Sequence, residues 1–126
     1  MSSKKILVVD DDKVFLRILD ERLSSAGYAV AFASNGKEAV SMAKERQPDL
    51  IILDVMMPEM DGAETAKTLE NDPSTKDIPI IFITALLSKE DEEKRGFISG
   101  RTSFAKPVDI DLLLGEIEKI MERQLS

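Results

Sequence analysis

Residues 6–12, Ile-Leu-Val-Val-Asp-Asp-Asp, place four consecutive apolar side chains directly before three acidic ones. Two further runs, at 50–53 and 78–85, are also rich in Ile or Leu, and the first of them is followed at once by Asp54. Such nearly continuous apolar runs are typical of parallel strands covered on both faces, because a half-exposed strand alternates apolar and polar residues. The three runs therefore predict a buried parallel sheet.

Segments with helical spacing lie between these runs. From residue 13 to 26 apolar side chains recur every three or four positions, and Asp12 and Gly27 are suited to cap the two ends of this helix. Three more helices are predicted at 37–46, 62–69 and 109–124, a further strand at 29–33 and a weaker fifth strand at 103–105. One more helix, the fourth in chain order, is predicted at 89–95. We expect it to be short or mobile, because this segment is entirely charged and is followed by a glycine.

Strand and helix alternate five times with short connections. This pattern predicts an α/β fold in which a doubly wound, five-stranded parallel sheet carries helices on both faces. The flavodoxin-like strand order 2-1-3-4-5 is the natural assignment. We find no linker that would divide the chain, so residues 1–126 are expected to form a single domain.

The composition excludes several kinds of chemistry. The 126 residues include 24 acidic and 17 basic ones, giving a net charge of −7, and there is no Cys or His. The chain therefore has no thiol nucleophile, no imidazole base and no soft-metal site, and the lack of Cys fits a reducing compartment. An acidic chain is not expected to bind nucleic acid, and no apolar run approaches the roughly 20 residues that cross a bilayer. We therefore expect a cytoplasmic protein without membrane contacts.

Polar residues are predicted to meet at one edge of the sheet. Ligands of open α/β sheets bind at the carboxyl ends of the strands. The residues expected at that edge are Asp10, Asp11, Asp54, Thr84 and Lys106. Clustered carboxylates repel one another, so Mg²⁺ and the lysine ammonium are expected to compensate them. Such a pocket suits transfer of a phosphoryl group to Asp54, with the threonine and the lysine contacting phosphoryl oxygens.

Four motifs in order along the chain resemble those of the receiver domains of two-component response regulators. They are ILVVDDD at 6–12, LDVMMPEMDG at 53–62, FITA at 82–85 and FAKP at 104–107. Each motif alone is weakly specific, whereas the four together at these spacings are highly specific. The resemblance covers essentially the whole chain.

The resemblance implies a role for each residue of the predicted pocket. It makes Asp54 the phosphoacceptor and a Mg²⁺ ligand, and Asp11 a direct Mg²⁺ ligand. Asp10 also belongs to the implied metal site, where it mostly contacts the ion's ligands and not the ion itself. The remaining implied roles are metal binding by the backbone carbonyl of Met56, a part in the conformational switch for Thr84, and contact with the phosphoryl group for Lys106.

The implied function is two-component signal transduction. A sensor histidine kinase or a histidine phosphotransfer protein would donate the phosphoryl group, and since the chain has no His, the phosphohistidine must reside on that partner. A downstream protein would then bind the face that receivers commonly use, formed by the fourth helix, the fifth strand and the fifth helix. The chain would take part in phosphotransfer and in hydrolysis of its own aspartyl phosphate without being an enzyme for an external substrate. No output domain is visible after the last predicted helix.

Some positions depart from the common receiver pattern. Ser103 stands where receivers usually have an aromatic residue that moves on phosphorylation, and the segment before it is about one residue short. We therefore expect an atypical partner surface, with Phe104 in the core. Met56 and Leu86 flank the pocket, and their bulk is expected to hinder hydrolytic water and prolong the life of the aspartyl phosphate.

Two other functions remain open. A phosphatase of the haloacid dehalogenase class also uses Asp, Thr, Lys and Mg²⁺, but its nucleophile is normally followed two residues later by a second Asp, where this chain has Met56. The other alternative is a pseudo-receiver that binds partners independently of phosphorylation. The complete set of acidic residues, threonine and lysine argues against it.

Overall fold

A parallel sheet forms the centre of the computed structural model, which describes residues 4–55, 62–84, 97–98, 101–106 and 108–125. Its strands are β1 (Lys5–Val9), β2 (Ala29–Ala33), β3 (Leu50–Asp54), β4 (Ile80–Thr84), β5 (Phe97–Ile98) and β6 (Arg101–Ala105). The sheet order is β2-β1-β3-β4-β6-β5, and all neighbours are parallel except the last pair. The predicted order 2-1-3-4-5 is confirmed for the five parallel strands, because the predicted fifth strand lies within β6.

Helices cover both faces of this sheet. They are α1 (Lys13–Ser25), α2 (Gly36–Arg46), α3 (Gly62–Glu70) and α4 (Ile110–Leu125). Successive strand residues point into opposite layers: Val8 packs with the α1 and α4 side, whereas Val9 packs with the α2 and α3 side. This double burial explains why the strands are almost continuously apolar. The predicted doubly wound α/β fold is confirmed.

Side-chain caps set the starts of the helices. The Asp12 carboxylate accepts hydrogen bonds from the backbone N–H groups of Val14 and Phe15 at 3.0 and 3.2 Å. Asp109 caps α4 in the same way. Gly27, with φ of +96°, follows α1 in a left-handed conformation that favours glycine. The predicted capping roles of Asp12 and Gly27 are confirmed.

No helix in the described part of the chain has the length and apolar character needed to cross a bilayer.

The structure adds one strand and shortens another. The two-residue β5 pairs antiparallel with the first residues of β6, so β6 begins at Arg101 instead of the predicted 103. β4 begins at Ile80 instead of 78, because the N–H of Ile78 closes a turn onto the carbonyl of Thr75. The predicted fourth helix, together with Met56 and Leu86, lies outside the described residues.

Candidate functional site

Three carboxylates come together at the carboxyl ends of β1 and β3. Because Val9 pairs with Leu53 in these adjacent strands, Asp10 and Asp54 follow side by side. One oxygen of each, and one of Asp11, lie within 4.8 Å of one another. Asp10 and Asp54 are buried, whereas Asp11 is exposed. The predicted acidic cluster is therefore present at the predicted edge of the sheet.

Lys106 brings a positive charge to this cluster. Its Nζ lies 2.8 Å from Oδ2 of Asp10 and 3.6 Å from Oδ2 of Asp54. Burial of the ammonium acts to lower the pKa of Lys106, but the hydrogen bond to Asp10 and the charges of Asp10, Asp54 and Asp12 together outweigh it and raise the pKa. The lysine therefore remains cationic at neutral pH.

Both carboxylate oxygens of Asp10 have protein partners. Oδ1 accepts the backbone N–H of Asp12 at 2.9 Å, and Oδ2 accepts Lys106. The three carboxylates and one ammonium carry a formal charge of −3 + 1 = −2, which a divalent cation would balance. Carboxylate oxygens are the hard ligands that Mg²⁺ prefers. The donor set therefore fits the predicted ion, although the Met56 carbonyl assigned to it is not among the described residues.

Thr84 ends β4 at the same edge and is fully buried. Its backbone carbonyl accepts the N–H of Lys106 at 3.0 Å, which ties the segment after β6 to the end of β4. Asp54 pairs with Ile83 in the sheet, so Thr84 lies one residue further along β4 than the partner of Asp54. The structure thus places Thr84 and Lys106 together with the acidic cluster, as predicted.

Ser103 occupies the position where receivers usually have an aromatic side chain. It is buried, and its Oγ has no hydrogen-bond partner among the residues that the structure describes. Ser103 pairs with Phe82 and lies on the same sheet face as Thr84, because these positions are in register along β4 and β6. The neighbouring Phe104 points to the other face and packs against the core there, as expected.

Two positions near the pocket have roles that sequence reasoning missed or saw only in part. The ring of Phe15 lies under Lys106, with Nζ 5.0 Å from its centroid, although the sequence placed Phe15 only in the apolar stripe of α1. Gly62 was predicted as the first residue of the helix at 62–69. A Cβ there would lie 2.6 Å from both the Asp54 carbonyl oxygen and the Val55 Cα, so only glycine fits without displacing the end of β3.

An apolar groove borders the acidic cluster. It has a volume of about 460 Å³ and lies between the start of α1 and the residues Lys106, Val108 and Ile110. Val14 and Ile18 line it and are 70% and 45% exposed. A second cavity, of about 290 Å³ beside Lys5, lies at the opposite end of the sheet and contains none of the predicted site residues.

Comparisons with known proteins agree on one family. The family model described as the response regulator receiver domain matches residues 6–118. The chain is 40% identical over 98% of its length to response regulator PleD of Caulobacter vibrioides, of which it spans only 27%. It is 30% identical to the polar-differentiation response regulator DivK of Brucella anthropi, over 94% of this chain and 96% of DivK.

Solved structures share the whole fold. The receiver domain of the Francisella response regulator 1452 superimposes with a TM-score of 0.84 at 31% identity, covering 97% of this chain and 99% of that one. The chemotaxis response regulator CheY4 of Vibrio cholerae gives a TM-score of 0.81 at 30% identity, covering 94% and 99%. Sequence and fold therefore point to the same family.

Proposed function

The chain belongs to the response regulator receiver family, and on this premise we propose that it accepts a phosphoryl group on Asp54 from the phosphohistidine of a partner protein. The donor would be a sensor histidine kinase or a histidine phosphotransfer protein. The observation that carries the proposal is the convergence of three carboxylates with the Lys106 ammonium at the end of β3. Receiver domains are signalling domains, so the product is a changed binding surface and not a released compound.

In the proposed reaction, an Asp54 carboxylate oxygen attacks the phosphorus atom while the bond from phosphorus to the donor imidazole breaks. The imidazole nitrogen takes the electron pair of that bond. Lys106, already 3.6 Å from Asp54, supplies a donor for a phosphoryl oxygen. Thr84 supplies a hydroxyl donor from the end of β4.

Mg²⁺ would be held by Asp11, Asp54 and the carbonyl of Met56, and its charge would offset the repulsion between the carboxylates and the incoming phosphoryl oxygens. Asp10 is less available as a ligand, since both of its oxygens already accept protein hydrogen bonds. It instead fixes the position of Lys106. One oxygen of the exposed Asp11 carboxylate already lies within 4.8 Å of an oxygen of Asp54, so the two carboxylates are placed to approach one ion.

The groove beside the cluster suits the docking of the donor protein. Val14 and Ile18 expose apolar surface within the same groove that Lys106 lines. A donor histidine must approach Asp54 from outside, and the loss of water from these apolar side chains would favour its binding there. For the downstream target, the expected face corresponds here to β6 and α4, together with the predicted fourth helix outside the described residues.

Intact-mass analysis tests the proposal. The protein is incubated with Mg²⁺ and acetyl phosphate, beside Asp54→Asn and the matched exposed carboxylate variant Asp77→Asn. We expect one added phosphoryl group in the wild type and in Asp77→Asn, none in Asp54→Asn, and none when EDTA removes the metal ion. An unmodified wild type would favour the pseudo-receiver, and sustained release of phosphate from a generic phosphate ester would favour the phosphatase.

A further inference from the structure

Phe15 is the aromatic residue next to the lysine of the pocket. It lies in the first turn of α1, where its backbone N–H donates to the capping Asp12 carboxylate at 3.2 Å. Lys106 Nζ lies over the ring, 5.0 Å from its centroid. The face of an aromatic ring carries partial negative charge and attracts a cation within about 6 Å. The ammonium therefore has a third attractive neighbour besides Asp10 and Asp54.

We propose that Phe15 is a positioning residue for phosphotransfer, whose ring keeps the Lys106 ammonium over the carboxylate pocket. This inference rests on the proposed function. Lysine has a long, flexible stem and a strongly hydrated charge, and the side chain of Lys106 remains 21% exposed. Without the ring, the ammonium has more freedom to turn towards water. With the ring beneath it, more of its accessible positions stay within reach of Asp54.

The Phe15 ring also suits the movement that the proposed reaction requires of Lys106, from Asp10 towards a phosphoryl group on Asp54. In the structure the ammonium bonds to Asp10 at 2.8 Å, whereas the proposed phosphoryl group would form on Asp54, now 3.6 Å away. A third carboxylate in place of the ring would compete for the ammonium through a directional bond. A ring face attracts the cation without such a directed bond, so it allows the movement from one carboxylate to the other while limiting departure from the pocket.

A structural role in the core is the alternative explanation, because Phe15 also packs against the α1 and α4 side of the sheet. Three variants separate the two roles. Phe15→Leu keeps an apolar side chain and removes the ring, and Phe15→Tyr keeps the ring. Phe32→Leu removes a ring from another partly buried position of the same core cluster and serves as the matched control.

Two measurements are made on each purified protein. The first is the NMR shift of the Lys106 Cε protons, which a ring beneath the ammonium moves upfield. The second is the rate of Asp54 phosphorylation by phosphoramidate with Mg²⁺. We expect Phe15→Leu to lose the upfield shift and to react about 3- to 10-fold more slowly, the range that a cation–ring attraction implies. Phe15→Tyr and Phe32→Leu should keep the shift and stay within about twofold of the wild-type rate.

The outcomes distinguish this inference from the function on which it rests. A wild type that takes no phosphoryl group would overturn the proposed function and this inference with it. A wild type that reacts, beside a Phe15→Leu variant with the same rate and the same Lys106 shifts, would overturn the inference alone. Equal slowing in Phe15→Leu and Phe32→Leu would also overturn it, since general packing would then explain the effect.

Discussion

Lys106 Nζ lies 2.8 Å from Oδ2 of Asp10 and 3.6 Å from Oδ2 of Asp54, so the ammonium pairs with the neighbour of the proposed phosphoacceptor more closely than with the phosphoacceptor itself. Asp10 is 1% exposed, and the Lys106 ammonium is its ion-pair partner. The pairing therefore stabilises the buried carboxylate of Asp10 and holds the lysine beside the proposed phosphoacceptor.

Lys106→Met is expected to lower the free energy of unfolding by about 1–3 kcal/mol when no divalent cation is present, because Asp10 then stays buried without its cation. Chemical denaturation in EDTA measures the loss. In Asp10→Asn the same lysine substitution should be less damaging, by at least about 0.5 kcal/mol, since the buried charge is already gone. Strictly additive losses in the double variant would show that the pair is not coupled.

Gly62→Ala is expected to destabilise the fold by about 1–3 kcal/mol, because the new Cβ would meet the backbone of Asp54 and Val55 at 2.6 Å. It should also slow phosphorylation, since relief of that contact moves the end of β3. Gly115→Ala is the control: it lies inside α4, no side chain or backbone beyond its own turns of the helix comes within 4 Å of the added Cβ, and it should stabilise by about 0.5–1 kcal/mol. Thermal unfolding of both variants checks the opposite signs, and a stabilised Gly62→Ala would refute the close approach.

Ser103→Ala is expected to raise the free energy of unfolding by about 1 kcal/mol, because it removes a buried hydroxyl that lacks a partner among the described residues. Thr75→Val provides the contrast. The Thr75 hydroxyl is also buried, but it donates to the Leu69 carbonyl at 2.7 Å, so its loss should destabilise by about 1 kcal/mol. Urea denaturation compares the two, and a destabilised Ser103→Ala would mean that the hydroxyl has a partner in solution.

Asp72 is expected to contribute to acid sensitivity. Hydrogen bonds from the side chain and backbone N–H of Ser74, together with Lys44, lower the pKa of Asp72 to about 2. Because the folded-state pKa lies below the unfolded one, the stabilisation is present above about pH 4 and is lost as the pH falls towards 2. The stability difference between wild type and Asp72→Asn, measured by urea denaturation, should therefore shrink across this window. A difference that does not change with pH would contradict the assignment.

Much of the acidic cluster could be predicted from sequence because it depends on strand ends. Asp10 and Asp54 each follow an apolar run, and the order 2-1-3-4-5 makes those two strands neighbours, so their meeting needed no knowledge of side-chain geometry. The same reasoning located Thr84 and Lys106. The sequence did not indicate whether the Lys106 ammonium would lie closer to Asp10 or to Asp54.

Other features depend on contacts that leave no periodic signal. Phe15 fits the apolar stripe of α1 equally well whether it packs only on the sheet or also lies under a distant lysine. The strand Phe97–Ile98 is too short to show the period of two that identifies strands. The absence of an aromatic residue at Ser103 was visible in the sequence, but the missing partner of its hydroxyl was not.

The amino end of α1 reduces the electrostatic repulsion between the carboxylates of the acidic cluster. Peptide dipoles in a helix add up to about half a positive elementary charge at its amino end. The 13-residue α1 presents this end to Asp10 through the N–H of its capping residue Asp12. This compensation comes from the backbone, so it persists when the side chain of Lys106 is replaced. Loss of Lys106 therefore does not expose the full mutual repulsion of the carboxylates, which limits how far that change can destabilise the protein.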